Sequence, residues 1–401
     1  MKRFFIQYTW LLLLLVFVSC TKESEDPCKS RTLMMYMFAD DGGSISSSLK
    51  KNIEDVVDNW SDTYDGNVVI YLDATSGNPQ LIGVRSDGKG GFTREIIKEY
   101  EEMDSTDPET FVQVVNEMKT LYPAESYGLV WGSHADAWVS QHGFSYDVEG
   151  GRVRRSVPAD GLSSVNWVHS RSFGVDGGNH MDVADMAEAL DRAFPEGLDF
   201  LLWDACYMSS IEVLYALRDE VRYVVASCTE TPIAGYPYGD ILPYLWGKGE
   251  QLVEGLKRVC DLYHEHYAAM SSSFGTATLV NMTGMDAFYA VCGDVLSGRL
   301  DEVSTLRKDE VYRYPLIDYT NPIFYDLGDY LVRMSRSDEE ISRVKDALDD
   351  IVLYKICVNP FYNRGEIPAD KFSGVNVFVP SAAWNYGNYY QTLSWFRVYG
   401  E

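Results

Sequence analysis

The sequence has few basic residues, and this shortage excludes one large class of partners. It has 34 Lys and Arg against 60 Asp and Glu, which gives a formal net charge of −26. Because phosphate would be repelled and no basic stripe offsets the charge, we exclude nucleic acid as a partner. The chain also lacks a G-x-S-x-G nucleophile elbow, a Gly-rich phosphate loop and an internal repeat. These absences disfavour an α/β-hydrolase and a repeat architecture.

Cysteine is too scattered for a disulfide framework. The seven cysteines occur without the spacing of metal ligands, and most of them lie in apolar stretches. We therefore predict no metal site held by cysteine, and we expect most of these side chains to be small core residues. The 46% of hydrophobic residues supply ample material for such a core.

Long hydrophobic runs are also scarce, and the one near the start is a targeting signal. The stretch Trp10 to Val18 follows two basic residues and is too short to span a bilayer as a mature helix, so residues 1–19 predict a signal peptide. It ends FVSC, which resembles a bacterial lipoprotein signal in which Cys20 is lipidated. Residues 20–30 then form a tether whose acidic residues resemble the surface-export signal of Bacteroidetes lipoproteins. We expect a cell-envelope protein anchored to the outer membrane through Cys20, with an ordinary secretory signal as the alternative.

The stretch Leu198 to Leu217 changes from strand to helix around a cysteine. An apolar run ends at Asp204, and apolar residues recur at helical spacing after Ser209 and Ser210, which are candidate N-caps. This places Cys206 at the carboxyl end of a buried strand and near a helix N-terminus, whose N–H groups favour a thiolate. The alternative is a small core cysteine without chemistry.

A second stretch, Ser126 to Trp138, ends an apolar strand in Gly-Ser-His. If its strand lies in the same parallel sheet, His134 and Cys206 reach the same sheet edge, where an imidazole can take the proton of a thiol. The alternative for His134 is a structural hydrogen-bonding role. The pair therefore predicts a Cys-His dyad.

These stretches resemble the clostripain family of cysteine peptidases. The matching residues are SHADAW around His134 and LLWDACYMSSIEVLYAL around Cys206, followed by YVVASCTETPIAGYPYGDIL. Weaker similarity appears in DYTNPIFYDLGDYL and in SGVNVFVP, so the resemblance runs from about residue 31 to near the C-terminus. It implies a caspase-like three-layer α/β/α sandwich with a largely parallel central sheet and C-terminal elaboration.

The resemblance also implies roles for individual residues. The backbone N–H groups of Ala135 and Cys206 would form the oxyanion hole, and Ala135 stands where this clan commonly has Gly. Asp204 would lie at the floor of a pocket for a basic substrate side chain, with helix capping as its alternative role. Glu230, in the TETP loop, is a further candidate for that pocket from its loop position.

A long irregular region, about residues 139–180, separates the histidine from the next helix. Loops of this length in a compact domain are usually functional or disordered. The region contains RVRRSV, and the family resemblance implies self-cleavage after a basic residue, which we place near Arg155. The alternative is a solvated basic patch on a surface loop.

The sequence therefore predicts an anchored cysteine endopeptidase. Residues 31–285 would form the peptidase core and residues 286–401 a C-terminal α/β elaboration packed on it. We expect a monomer that cleaves protein or peptide after Arg or Lys and needs no cofactor for the chemistry, although the resemblance implies calcium for some relatives. The alternative is a catalytically inactive caspase-like surface lipoprotein that binds peptide or glycan.

Overall fold

The computed structural model describes residues 28–39, 44–139, 145–146, 173–271, 273–315, 323–362, 364–381, 384–385 and 389–400. The predicted signal peptide, the lipidation candidate Cys20 and the self-cleavage candidate Arg155 lie outside these ranges. Within them, no helix is long and apolar enough to cross a membrane.

Strands and helices alternate along much of the chain. The strands in the described ranges are β1 (Arg31–Ala39), β2 (Gly66–Ala74), β3 (Gln80–Ser86), β4 (Phe92–Glu99), β5 (Tyr127–Gly132), β6 (Ser145–Tyr146), β7 (Phe173–Asp176), β8 (Asn179–Met181), β9 (Leu198–Asp204), β10 (Val221–Ala226), β11 (Thr276–Asn281), β12 (Phe324–Asp326), β13 (Val352–Cys357), β14 (Asn376–Phe378) and β15 (Trp384–Asn385). The α-helices there are α1 (Ser44–Asp58), α2 (Pro108–Leu121), α3 (Val183–Ala193), α4 (Ile211–Ala216), α5 (Tyr238–Ile241), α6 (Glu250–Ala268), α7 (Met285–Leu296), α8 (Leu300–Ser304), α9 (Leu327–Met334) and α10 (Asp338–Ile351).

A nine-stranded sheet organises the described part of the chain. Its strand order is β13-β11-β10-β9-β5-β1-β2-β3-β4. The five central strands, from β10 to β2, are mutually parallel, and the outer strands on both sides are antiparallel. Parallel strands need covered faces, which explains the nearly continuous apolar runs of β1, β5 and β9.

Both faces of the sheet are buried under helices. In β1, Tyr36 and its alternate neighbours belong to one apolar cluster, while Met35 and its alternate neighbours belong to the other. Helices α2, α3, α4, α7, α9 and α10 contribute to the first cluster, and α1, α5 and α6 contribute to the second. Each fully buried aliphatic side chain contributes about 1.5 to 3 kcal/mol. The predicted three-layer α/β/α architecture with a largely parallel sheet is confirmed.

The segment after residue 285 is joined to the sheet as well as packed on it. Strand β13 pairs antiparallel with β11 and forms one edge of the nine-stranded sheet. Strand β14 forms a separate two-stranded sheet with β12. The division of the chain at residue 285 stays a prediction.

Candidate active site

Two neighbouring parallel strands end at the candidate site. Strands β5 and β9 pair in a register that sets Trp131 opposite Trp203 and Gly132 opposite Asp204. The two buried indole rings lie 5.6 Å apart, a contact that helps to hold this register. His134 and Cys206 each follow the Gly132 and Asp204 pair by two residues. The fold therefore brings the two predicted dyad residues to the same edge of the sheet.

Cys206 lies in a tight turn directly after β9, and it is not at a helix N-terminus. Tyr207 has a positive φ of 62°, which is uncommon for a residue with a side chain, and helix α4 begins only at Ile211. Ser210 precedes the helix as predicted, but its hydroxyl donates to the Glu212 carboxylate at 2.5 Å. The expectation that a helix N-terminus favours the Cys206 thiolate was wrong, because the turn separates the two.

The sulfur of Cys206 is half-buried and contacts the peptide group of Thr231. The Thr231 N–H donates to Sγ at 3.3 Å, and Sγ lies 3.9 Å from the Thr231 carbonyl oxygen. Burial raises the pKa of the Cys206 thiol well above its ordinary value, while the Thr231 N–H lowers it. The carboxylates of Glu230, Asp136 and Asp204 raise it further. This environment disfavours the thiolate.

A short hairpin holds the backbone of His134. The Gly174 N–H, in the β7–β8 hairpin, donates to the His134 carbonyl oxygen at 2.8 Å. Gly174 has a φ of +79°, and a Cβ there would lie 2.0 Å from the Phe38 ring. Only glycine fits this contact, so the hairpin can reach the His134 carbonyl only because residue 174 has no side chain.

The predicted oxyanion residue Ala135 is buried and does not adopt a positive φ. In the loop after β5 the residue with a positive φ is Ala137, at 52°. The Cβ of Ala135 therefore imposes no left-handed strain. The oxyanion donor that the resemblance implies is a backbone N–H, which alanine retains.

Asp204 is the last residue of β9 and lies in a buried polar setting. Its Oδ2 accepts a hydrogen bond from the Tyr238 hydroxyl at 2.9 Å. A Cβ on Gly235 would lie 2.2 Å from that oxygen, so glycine at 235 makes room for the carboxylate. Burial raises the pKa of Asp204 to about 6, and hydrogen bonds from the Tyr238 hydroxyl and the Tyr236 N–H oppose the shift.

Two further acids lie near the sulfur, and sequence reasoning identified only one of them. Glu230 is buried, and its carboxylate raises the pKa of the Tyr207 hydroxyl, after burial as the main cause. Asp136, two residues after His134, is equally buried and acts on both Cys206 and Tyr207. The SHADAW stretch contains Asp136, but its spacing alone did not distinguish it from a loop carboxylate.

The turn that carries Cys206 is braced by residues distant in sequence. Tyr207 N–H donates to Thr229 O at 2.9 Å, and Ser209 N–H donates to Ser227 O at 2.8 Å. The buried Asn376 side chain donates to Tyr207 O at 3.2 Å and to Cys228 O at 3.1 Å. Sequence reasoning missed Asn376, although it lies within the SGVNVFVP similarity. The C-terminal segment thus completes the support of the candidate nucleophile.

A carboxylate cluster lies at the end of β2. In the described part of the chain, Asp73, Glu102 and Asp176 have carboxylate oxygens that all lie within 4.8 Å of one another. Ser105 joins two of them, because its N–H donates to Asp176 at 2.6 Å and its hydroxyl to Asp73 at 2.5 Å. Such an all-oxygen donor set suits a hard divalent cation such as calcium.

Comparison with known proteins matches these features to one family. The model of the clostripain family matches residues 35–158 and 160–399. Clostripain from Hathewaya histolytica is 23% identical over 218 residues, which is 49% of this chain and 38% of clostripain. The chain therefore spans less than half the length of that relative.

Solved structures resemble nearly the whole chain. An inactive zymogen C11 protease from Parabacteroides distasonis aligns with a TM-score of 0.74 and 25% identity, covering 93% of this chain and 99% of that one. A secreted C11 cysteine protease from Bacteroides thetaiotaomicron, in complex with an irreversible peptide inhibitor, aligns with a TM-score of 0.70 and 23% identity. That alignment covers 92% of this chain and 99% of the other, so the resemblance includes the C-terminal elaboration.

Proposed function

The chain belongs to the clostripain family, and from this premise we propose that it is a caspase-like cysteine endopeptidase with a Cys206 nucleophile and a His134 base. The observation that carries the proposal is the β5–β9 register, because it brings both residues to one sheet edge. Both are half-buried, so a substrate backbone can approach them from solvent.

The mechanism follows from these positions. His134 takes the proton of the Cys206 thiol, and the sulfur attacks the carbonyl carbon of the scissile peptide. The backbone N–H groups of residues 135 and 206 stabilise the oxyanion, and His134 returns the proton to the leaving amine. Water, deprotonated by His134, then hydrolyses the thioester and releases the acyl group.

We assign the basic side chain of the substrate to Asp204 and Glu230. Two buried carboxylates favour a guanidinium or ammonium group next to the scissile bond, since charge-assisted hydrogen bonds are strong in a dry site. Asp136 adds negative charge to the same region. The proposed specificity is therefore cleavage after Arg or Lys, and self-cleavage near Arg155 would follow the same rule.

The anchor and the calcium are separate parts of the proposal. Lipidation of Cys20 would attach the protein to the outer membrane as a monomer. Calcium, implied for some relatives, fits the carboxylates of Asp73, Glu102 and Asp176. Bound there, it would neutralise repulsion between β2 and the β7–β8 hairpin, and no step of peptide cleavage would pass through it.

A panel of fluorogenic peptides with Arg, Lys, Asp or Leu before the scissile bond tests this function. We expect the wild type to cleave after Arg or Lys and Cys206→Ala to be inactive. Cleavage after other residues would contradict the proposed pocket for a basic side chain and would still support the Cys-His dyad. No cleavage, even with calcium and after limited trypsin treatment, would favour the alternative of an inactive peptide- or glycan-binding lipoprotein.

A further inference from the structure

Thr231 makes two hydrogen bonds to the turn that carries Cys206, and no motif in the sequence indicates them. Its N–H donates to Cys206 Sγ at 3.3 Å, and its side-chain hydroxyl donates to the Ala205 carbonyl oxygen at 3.1 Å. One residue thus holds both the sulfur and the backbone immediately before it. Neither contact is local, because the residues are 25 and 26 positions apart in the chain.

The segment that carries Thr231 is itself fixed to the turn. The carbonyl oxygens of Ser227 and Thr229 accept hydrogen bonds from the N–H groups of Ser209 and Tyr207 at 2.8 and 2.9 Å. The Ser227 hydroxyl also donates to the Thr229 carbonyl oxygen at 3.0 Å. The Thr231 hydroxyl therefore adds one more hydrogen bond between two segments that other hydrogen bonds already join. Its loss would release the Thr231 peptide from Ala205 and leave those other bonds in place.

The Thr231 N–H opposes a strongly unfavourable setting for a thiolate. Burial and three carboxylates, those of Glu230, Asp136 and Asp204, disfavour negative charge on Cys206. An N–H donor aimed at the sulfur favours the charged form, because hydrogen bonds to ionised groups are about twice as strong as neutral ones. The Tyr207 hydroxyl also interacts electrostatically with Cys206, and His134 lies at the same edge of the sheet.

We propose that Thr231 is a positioning residue for the nucleophile: its peptide N–H orients the Cys206 sulfur and stabilises the thiolate, and its hydroxyl fixes that peptide against Ala205. The proposal rests on the peptidase function proposed above, but its test does not require turnover. The proposal gives Thr231 a different role from the neighbouring Glu230, which is assigned to the substrate side chain. Loss of the Thr231 hydroxyl should therefore lower kcat and leave KM nearly unchanged.

The test compares Thr231→Val with Thr231→Ser in the full chain. Valine keeps the shape and loses the hydroxyl, whereas serine keeps the hydroxyl. The readout is the rate at which iodoacetamide, a small neutral reagent, alkylates Cys206 across a range of pH. We expect the alkylation profile of Thr231→Val to move to higher pH, and kcat to fall about tenfold. Thr231→Ser should follow the wild type in both measurements.

The control is Thr305→Val, which removes a comparable hydroxyl bond to a carbonyl, that of Glu302 at 2.7 Å, on an exposed turn. Its alkylation profile should equal that of the wild type. An unchanged profile in Thr231→Val would overturn the proposal, as would a shift of equal size in Thr231→Ser. If the wild type cleaves no peptide, the peptidase function fails, but the alkylation profiles still decide the role of Thr231.

Discussion

The carboxyl group of Asp204 is subject to opposing effects on its pKa. Burial favours its protonated form, while hydrogen bonds from Tyr238 and from the Tyr236 N–H favour the carboxylate. Because these effects leave the pKa at about 6, the group is largely ionised at neutral pH. In the proposed pocket, the ionised group would hold the substrate cation, and protonation in acid would remove that interaction.

For Asp204→Asn we expect kcat/KM for an arginyl peptide to fall about 10- to 100-fold, the effect of losing one charge-assisted hydrogen bond. In the wild type, KM for that peptide should decrease as the pH rises through about 6, since only the ionised carboxyl binds the guanidinium. The variant should lack this change. Steady-state kinetics across pH check both, with the exposed Asp240→Asn as the matched control. An unchanged KM in Asp204→Asn would argue against the pocket.

At the residue scale, sequence reasoning located candidates that directly follow a strand and missed residues brought in by tertiary contacts. His134 and Cys206 could be located because each follows the end of an apolar strand by two residues. Thr231 and Asn376 could not, because their roles depend on hydrogen bonds to a turn that is distant in sequence. The helix effect expected at Cys206 failed because a turn intervenes before α4.

The β7–β8 hairpin is the element that links the sheet to the histidine loop. Its Gly174 N–H holds the His134 carbonyl, and Asp176 at the end of β7 accepts from the Ser105 N–H. The second contact anchors the hairpin beside the start of α2. The hairpin thus fixes the loop that carries the proposed base relative to the edge of the sheet.

Gly174→Ala should disturb this element by two effects, a positive φ and a collision with Phe38. Gly177→Ala is the matched control, because Gly177 also has a positive φ, of 54°, but a Cβ there would meet nothing within 4 Å. We expect both variants to lose about 1 kcal/mol of stability from the backbone. Only Gly174→Ala should lose further stability from the collision with Phe38, and its kcat should fall at least about tenfold. Thermal unfolding and peptide hydrolysis measure this, and equal kcat values in the two variants would contradict the role of the hairpin.

At the element scale, a strand or helix could be predicted where its sequence is strongly periodic, and not where its sequence is irregular. The β3–β4 hairpin is predictable from sequence, because two strand-forming runs flank a Gly-rich turn. Hairpin β7–β8 lies within the region treated as irregular. Its strands have only four and three residues, too few for a periodic signal.

Across the whole molecule, a buried glutamate joins the C-terminal segment to helix α4, which follows the turn that carries Cys206. Glu212 in α4 accepts hydrogen bonds from the Phe378 N–H at 2.8 Å and from the Tyr390 hydroxyl at 3.2 Å. Burial raises its pKa from an ordinary 4.5 to about 7, with these donors and Ser210 opposing the shift. The folded state therefore prefers the protonated form.

This preference gives a stability prediction with a definite sign. Because the folded state binds the proton more tightly, wild-type stability should fall as the pH rises from about 4.5 to about 7. Glu212→Gln keeps the shape and most hydrogen bonds without the charge. It should be more stable than the wild type by up to about 3 kcal/mol near pH 8 and nearly equal to it near pH 4. Urea unfolding at a series of pH values measures these stabilities, and Glu188→Gln, at an exposed glutamate, is the control. If Glu212→Gln were less stable than the wild type near pH 8, the Glu212 carboxylate would be stabilising and the prediction would be wrong.

Sheet order and chain-wide assembly were the least accessible features from sequence. The family resemblance implied a largely parallel sheet, and the centre of the sheet agrees. The placement of β13 at an edge, after a long intervening segment, depends on tertiary packing. The same is true of Asn376, which reaches the Cys206 turn from the C-terminal segment through a contact 169 positions apart in the chain.

We propose that Cys206 is a nucleophile activated by His134. The most direct test treats the protein with an arginyl chloromethyl ketone and locates the adduct by mass spectrometry of its peptides. We expect one adduct, on Cys206, that forms rapidly in the wild type and is absent or forms much more slowly in His134→Ala. An adduct on another cysteine, or an equal rate of Cys206 labelling in His134→Ala, would contradict it.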